Sequence, residues 1–302
     1  MSNQDIHQTI NGITGQGNEN PLCAFTVDVE DWYQSCIDFD APITERVVRN
    51  TERILAILDR RKVKGTFFVQ GRIAETFPKL LQKLVAEGHE IQSHGYSHRP
   101  LDKMNRQELK LELELARKTV EAACGVQVTA FRAPDFTINQ ENLWALEVLA
   151  ETGFTVDSSI FPIRTHRYGI AGYTTVPHWI PLPNGNGILE VPVAIWSSCK
   201  LRLPVAGGGY FRLIPSIVLE KFFAAMLTKQ PVIVYCHPYE FNPHELADYR
   251  QPNVPKLFWF SQGIGRTYYA QKVDNLFQKL SFGRFDQVLG TWRQNENRLS
   301  HN

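Results

Sequence analysis

Two histidines four residues apart, in the run Ser93-His94-Gly95-Tyr96-Ser97-His98, carry the strongest chemical signal in this chain. A helical turn across them would set both imidazoles on one face, about 5–6 Å apart at Cβ, as two nitrogen ligands of one metal ion require. Upstream, the acidic run Asp28-Val29-Glu30-Asp31 closes an apolar, strand-like stretch. Two histidines and one carboxylate leave a coordination position for water, the arrangement that hydrolytic metal sites use. Other polar residues end later strand-like runs: Arg132 in Phe131-Arg132-Ala133-Pro134-Asp135, then Asp157, then His237 after Val232-Ile233-Val234-Tyr235-Cys236. In parallel α/β barrels the active site gathers at this end of the strands. Each residue also has an ordinary structural use. The acidic run can cap a helix, Arg132 can pair with a surface carboxylate, Asp157 can cap Ser158-Ser159, and His237 can be a core histidine.

Positioning such residues together needs an alternation of strands and helices, and the apolar pattern supplies one. Residues 22–29, 65–69, 89–92, 128–132, 154–157 and 231–236 read as strands. Residues 44–61, 73–87, 105–124 and 139–152 read as helices between them, with Gly88, Gly125 and Gly153 as stops. The pattern predicts an α/β fold with a parallel sheet or barrel of βα units. It breaks down over 161–215, a Pro-, Gly- and Tyr-rich insertion that ends in Gly207-Gly208-Gly209-Tyr210-Phe211-Arg212. The tandem glycines permit close backbone approach or positive φ, and no GK[ST] follows to make a phosphate loop. Beyond His237, residues 238–263 read as a long loop, 265–280 as a helix and 282–289 as a strand.

A chain of 302 residues with 43% apolar and 21% charged residues can bury a sizeable core. The net charge of +1 offers nothing to nucleic acid or to an anionic membrane. No apolar run reaches the length of a membrane span. Residues 1–20 are polar, lack the apolar core of a secretory signal, and predict a disordered lead-in to a cytoplasmic protein. Five cysteines without a CxxC pair fit reduced thiols.

The motifs Thr26-Val27-Asp28-Val29-Glu30-Asp31, Ser93-His94-Gly95-Tyr96-Ser97-His98, Arg132-Ala133-Pro134 and Tyr235-Cys236-His237-Pro238 resemble the successive motifs of the polysaccharide deacetylase family, also called the NodB-homology or carbohydrate esterase family 4 fold. The order and spacing agree over 23–241. The chain looks closest to the peptidoglycan-deacetylase-like and allantoinase-like branch. Its later part, with Gly207–Arg212 and His237-Pro238-Tyr239-Glu240, is similar to deacetylases of exopolysaccharide and exosortase systems.

The resemblance implies a distorted (β/α)7-type barrel over 21–290, a tail over 291–302, a divalent metal, usually Zn2+, and a glycan substrate with N-acetylated sugars. It implies that His94 and His98 are metal ligands, that Arg132 tunes a catalytic carboxylate, and that His237 is the general acid, with Asp157 holding its tautomer. The family's adjacent aspartate pair is replaced here by Asp-Val-Glu-Asp. Aligning the strand makes Asp28 the base and Glu30 or Asp31 the ligand. Aligning the acidic pair makes Glu30 the base and Asp31 the ligand. Strand alternation puts Asp28 and Glu30 on one face, a rule that fails where a strand ends; Asp28 is favoured as base and the ligand stays open. Asp135 stands where the family often has tyrosine, and its backbone N–H would serve the oxyanion. Trp32, Tyr96 and Trp196, with Tyr173 and Trp179, are candidates for contacting sugar. Two alternatives remain: hydrolysis of a small cyclic amide, and a non-catalytic glycan-binding protein.

Overall fold

The computed structural model describes residues 23–165, 167–183, 185–198, 201–249 and 256–300. The lead-in expected over 1–20, His166 and Cys199 lie outside them. The chain opens with β1 (Cys23–Val29), α1 (Trp32–Cys36), α2 (Arg46–Arg61), β2 (Thr66–Val69), α3 (Gly71–Thr76), α4 (Pro78–Ala86) and β3 (Glu90–Ser93). It continues with α5 (Arg106–Cys124), β4 (Ala130–Phe131), α6 (Ala145–Glu151), β5 (Val156–Asp157), β6 (His178–Pro181) and β7 (Gly187–Glu190). Then come β8 (Ile195–Ser198), β9 (Leu201–Pro204), α7 (Gly208–Leu213), α8 (Ser216–Leu227) and β10 (Val232–Cys236). The last elements are α9 (Lys256–Gly263), α10 (Tyr269–Lys279), β11 (Phe282–Gly283) and α11 (Phe285–Ser300). This is the α/β class that the alternation predicts.

The residues fall into two compact units. One comprises Asp28–Val48 and Phe67–Val193. In it β3, β4, β5 and β7 run parallel in that order, and β6 closes antiparallel on β7. The long α5 buries Leu109, Leu113, Ala116, Val120 and Cys124, a stripe at three- and four-residue spacing. It packs against α4, which buries Leu80, Leu81 and Leu84. Asn105 and Glu108 form a capping box at its start, and Gly125 ends it at φ 72°.

Among the described residues, the other unit holds Cys23–Val27, Arg49–Thr66 and those from Ala194 onward. There β10 and β11 both pair in parallel with β1. The antiparallel hairpin β8–β9 is separate. Phe277 of α10 packs edge-on against Phe25 of β1, ring centroids 5.0 Å apart. Among the described residues no helix is long and apolar enough to cross a membrane.

Several expected elements are corrected. The helix read over 73–87 is two, α3 and α4, because Pro78 cannot continue the first and instead opens the second. The helix read over 139–152 shortens to α6, since Asn139 and Asn142 spend their side chains on nearby backbone: Asn139 Oδ1 accepts from Glu141 N, Asn142 Oδ1 accepts from Asn139 N, and Asn142 Nδ2 donates to the Thr137 carbonyl. The strand read over 282–289 is only β11; Phe285, Val288 and Leu289 repeat at helical spacing and are buried from α11, which runs through the expected tail to Ser300. The loop read over 238–263 contains short 3-10 turns and α9.

Candidate metal and catalytic site

In the first unit the polar residues leave the C-terminal ends of neighbouring strands. Glu30 follows β1, His94 follows β3, Arg132 follows β4, and Asp157 and Glu190 end β5 and β7. Glu30 Oε1 lies 3.1 Å from His94 Nε2 and 2.9 Å from His98 Nε2, and all three residues are buried. One ligand atom from each falls within 4.8 Å of the other two. His94 Nδ1 lies 2.8 Å from the Arg132 carbonyl oxygen. A carbonyl only accepts, so Nδ1 donates to it, and Nε2 is the ring nitrogen turned toward Glu30. Two imidazole nitrogens converging on one carboxylate oxygen are a donor set that suits a divalent cation, three protein ligands being one short of a tetrahedral shell.

The histidine pair is brought together by a loop, not by the helical turn that the spacing suggested. Residues 94–98 have no helical assignment, and Gly95 and His98 have φ of 74° and 66°. A left-handed non-glycine residue costs about 1–3 kcal/mol and persists where its surroundings hold it. Here Glu112 of α5 does so: its Oε1 accepts from Tyr96 N at 2.9 Å, Ser97 N at 2.7 Å and Ser97 Oγ at 2.9 Å. Gly71 N and Arg72 N donate to the carbonyls of Gly95 and Tyr96. Gly71 is required there, since a Cβ would fall 2.4 Å from the Tyr96 ring.

Asp31, the alternative ligand, belongs to the helix instead. It is the N-cap of α1: Oδ1 accepts from Tyr33 N, and Oδ2 accepts from Thr44 N at 2.8 Å and Thr44 Oγ1 at 2.5 Å. Glu30 is the carboxylate that joins the histidines. Asp28 Oδ1 accepts from Arg132 Nη1 at 2.7 Å, with both side chains buried. Arg132 is held in turn by Ser158 Oγ at 3.1 Å and by the Phe68 face, 4.2 Å from Cζ.

Asp157 and Glu190 are register partners on β5 and β7. Ser159 Oγ donates to Asp157 Oδ1 at 2.5 Å, and Ile160 N donates to Glu190 Oε1. Burial pushes the Asp157 carboxyl up. Burial first, and then the neighbouring Asp157 charge, push Glu190 well up. Burial and their mutual repulsion thus both oppose ionisation of the pair. In the second unit, His237 Nδ1 lies 3.1 Å from Glu240 Oε2.

The expected sugar contacts divide. Trp32 is fully buried in α1 and presents no surface to a substrate. Tyr96 is half-buried, its hydroxyl donating to Glu75 Oε2 at 2.8 Å. Asp135 sits at φ 52° and pairs with Arg167 at 2.9 Å. Trp196 is half-buried with its ring 4.6 Å from that of Phe222. Tyr173 is half-buried beside His178, while Trp179 is exposed and covers Gly187. The sequence gives no role of their own to Glu112, Glu190, Glu240 and Arg212, although Arg212 closes the Gly-rich run and Glu240 the His237-Pro238-Tyr239-Glu240 motif. Only Glu240 carried a signal: three residues after His237, it has the spacing of a capping box, which it forms.

Residues 34–156 match the family model for polysaccharide deacetylase. Residues 158–290 match a domain of unknown function, DUF3473. A peptidoglycan-N-acetylglucosamine deacetylase of Bacillus cereus is 35% identical over 98 residues, 32% of this chain and 36% of that one. The chain spans between about a third and a half of the length of the first curated relatives it matches. Among solved structures, a Mycobacterium smegmatis protein provisionally described as a polysaccharide deacetylase superposes with TM-score 0.58 at 20% identity, covering 94% of each chain. Puue allantoinase superposes with TM-score 0.58 at 15% identity, covering 92% of each. At these identities the likeness is one of fold.

Proposed function

The chain belongs to the polysaccharide deacetylase family, and from that premise we propose that it is a metal-dependent hydrolase that removes N-acetyl groups from an exopolysaccharide- or peptidoglycan-like glycan. The observation that carries the reading is the buried convergence of Glu30, His94 and His98 on one point. These three would hold the metal, and zinc suits two imidazoles and a carboxylate. A bound divalent ion supplies Lewis-acid polarisation of an acyl oxygen and an acidified water. Asp28 takes the proton of the attacking water, and its hydrogen bond to Arg132 keeps the carboxylate oriented for that task. The Arg132 carbonyl holds the His94 proton on Nδ1, so that Nε2 stays a ligand. The family resemblance gives His237 the task of protonating the departing amine nitrogen as the C–N bond breaks. Carbohydrate N-deacetylation of this kind releases acetate and leaves an amino sugar.

The test is acetate release from N-acetylated glycan oligomers by purified protein, after chelation and after zinc add-back, beside His94→Ala. Zinc-restored release that the variant lacks is expected. A chain that binds one metal ion but releases no acetate from several glycans would overturn the glycan reading in favour of a small cyclic amide. A chain that binds no metal would overturn the hydrolase reading altogether.

A further inference from the structure

A polar line lies in the part of the chain that matches the domain of unknown function. After β10 the chain stays extended at His237 and then winds into the 3-10 turn Pro238–Phe241. That turn folds Glu240 back onto the residue that begins it. Glu240 Oε2 accepts from His237 N at 3.0 Å and lies 3.1 Å from His237 Nδ1. Glu240 Oε1 accepts from Arg212 Nη1 at 2.6 Å. Both Glu240 and Arg212 are buried. Burial by itself would raise the Glu240 carboxyl; the hydrogen bond and charge of His237 and the charge of Arg212 outweigh it and bring the group to about 2.

The Gly-rich run explains how Arg212 reaches this place. A Cβ at Gly207 would fall 2.2 Å from the Tyr235 carbonyl oxygen, so only glycine lets α7 start against β10. Gly265 has φ 78°, and a Cβ there would lie 3.0 Å from the Arg212 Cβ. Arg212 Nη2 donates to the Ser261 carbonyl, and Lys272 Nζ donates to the carbonyls of Phe211, Arg212 and Ile214 at the end of α7. The His237 ring lies flat on Tyr239, centroids 4.9 Å apart at 5°. The ring is therefore fixed in plane by stacking and in rotation by the carboxylate.

We propose that Glu240 and Arg212 are positioning residues for His237, and that the DUF3473 segment takes part in the reaction by carrying this His237–Glu240–Arg212 line. The inference rests on His237 being the general acid. A carboxylate at Nδ1 keeps that nitrogen as an N–H donor and favours the imidazolium, which leaves proton delivery to Nε2. When the C–N bond of the substrate breaks, its electron pair stays on nitrogen and the Nε2 proton moves to it. His237 is left neutral, with Nδ1–H still on Glu240. Arg212 keeps the carboxylate buried and in place throughout. Among the described residues, Tyr235, Cys236, Tyr239, Arg266 and Tyr269 also pack here. Burial first, then the Glu240 charge, raise the Tyr269 hydroxyl well above its usual range. Arg266 Nη1 donates to the Tyr239 carbonyl.

The experiment is a proton titration of His237 by NMR in the full chain with labelled histidine, alongside the pH profile of acetate release. Glu240→Gln is expected to lower the His237 pKa by about one unit or more, and to move the alkaline limb of the profile down by the same amount. Glu240→Asp keeps the charge that balances Arg212 while drawing it back from Nδ1. It should shift both readouts in the same direction, and it serves if the glutamine variant does not fold. A folded variant of either kind whose His237 titrates as in the wild type overturns the inference. Because the titration needs no turnover, absence of acetate release from the wild type would count against the deacetylase reading alone.

Discussion

Replacing Glu112 with alanine tests whether the histidine loop is held in a metal-binding geometry from outside. Its Oε1 accepts three hydrogen bonds from that loop, two from main-chain N–H groups and one from Ser97 Oγ. Hydrogen bonds to a charged acceptor contribute about 1.5–3 kcal/mol each. Glu112 is half-exposed, so water recovers part of the loss, and about 3 kcal/mol for the three together is a fair working figure. The same loop holds His98 at φ 66°, a conformation that relaxes once its restraints are gone. If the whole loss falls on loop geometry, metal affinity drops by about two powers of ten, at the upper end of what removing an outer-shell partner does. Glu112→Ala is therefore expected to weaken zinc binding roughly 30- to 100-fold. Glu112→Gln retains Oε1 and should stay within about tenfold of the wild type. Competition against a chromophoric chelator measures the affinity, and urea unfolding in the presence of a chelator separates it from global stability. Unchanged zinc affinity in a folded Glu112→Ala protein would refute the reasoning, since the loop would then hold its shape without that carboxylate.

Asp28→Asn should lower acetate release by about 10²–10⁴-fold while leaving zinc affinity within a few-fold, because Asp28 bonds Arg132 and stands outside the ligand group; initial rates beside the chelator competition read both, and a large loss of zinc would count against its role as base. Glu190→Gln tests whether Glu190 and Asp157 share a proton. Both carboxyls titrate above their ordinary values, so the folded chain binds more protons than the unfolded one, and the pair's contribution is present below the ordinary carboxylate range and lost as pH rises. The stability of the variant relative to the wild type should therefore grow from about pH 5 to about pH 8. Urea midpoints over that range provide the measurement, and a pH-independent difference would show that no proton is shared.

Much of the frame was legible because it depends on local pattern. Apolar runs marked β1 and β10, and the spacing of Leu109, Leu113, Ala116 and Val120 drew the buried face of α5. Asn105 and Gly125 were readable as its ends because capping needs only a side chain three residues away and a residue that tolerates positive φ. Local signals failed where two of them competed. The apolar start of 282–289 fits a strand or a helix, and burial of Phe285, Val288 and Leu289 from α11 decided the matter.

The sequence by itself determined which residue types stand at the ends of the strands: Asp28 and Glu30, the histidine pair, Arg132, Asp157 and His237. Their chemistry follows from identity and order along the chain. Tertiary structure alone decided how they are used. Glu30 and Asp31 are adjacent carboxylates with equal claims on a metal, yet one faces His94 and His98 while the other caps α1 against Thr44. Trp32 reads as a sugar platform and is fully buried. Glu112 pins a loop and Glu190 lies buried opposite Asp157, uses that neither residue's neighbours in sequence announce. Arg212 meets Glu240 across 28 positions of chain. The physical reason is the same in each case: a buried polar group is defined by the partner that satisfies it, and that partner is placed by packing between elements, which the one-dimensional pattern does not record.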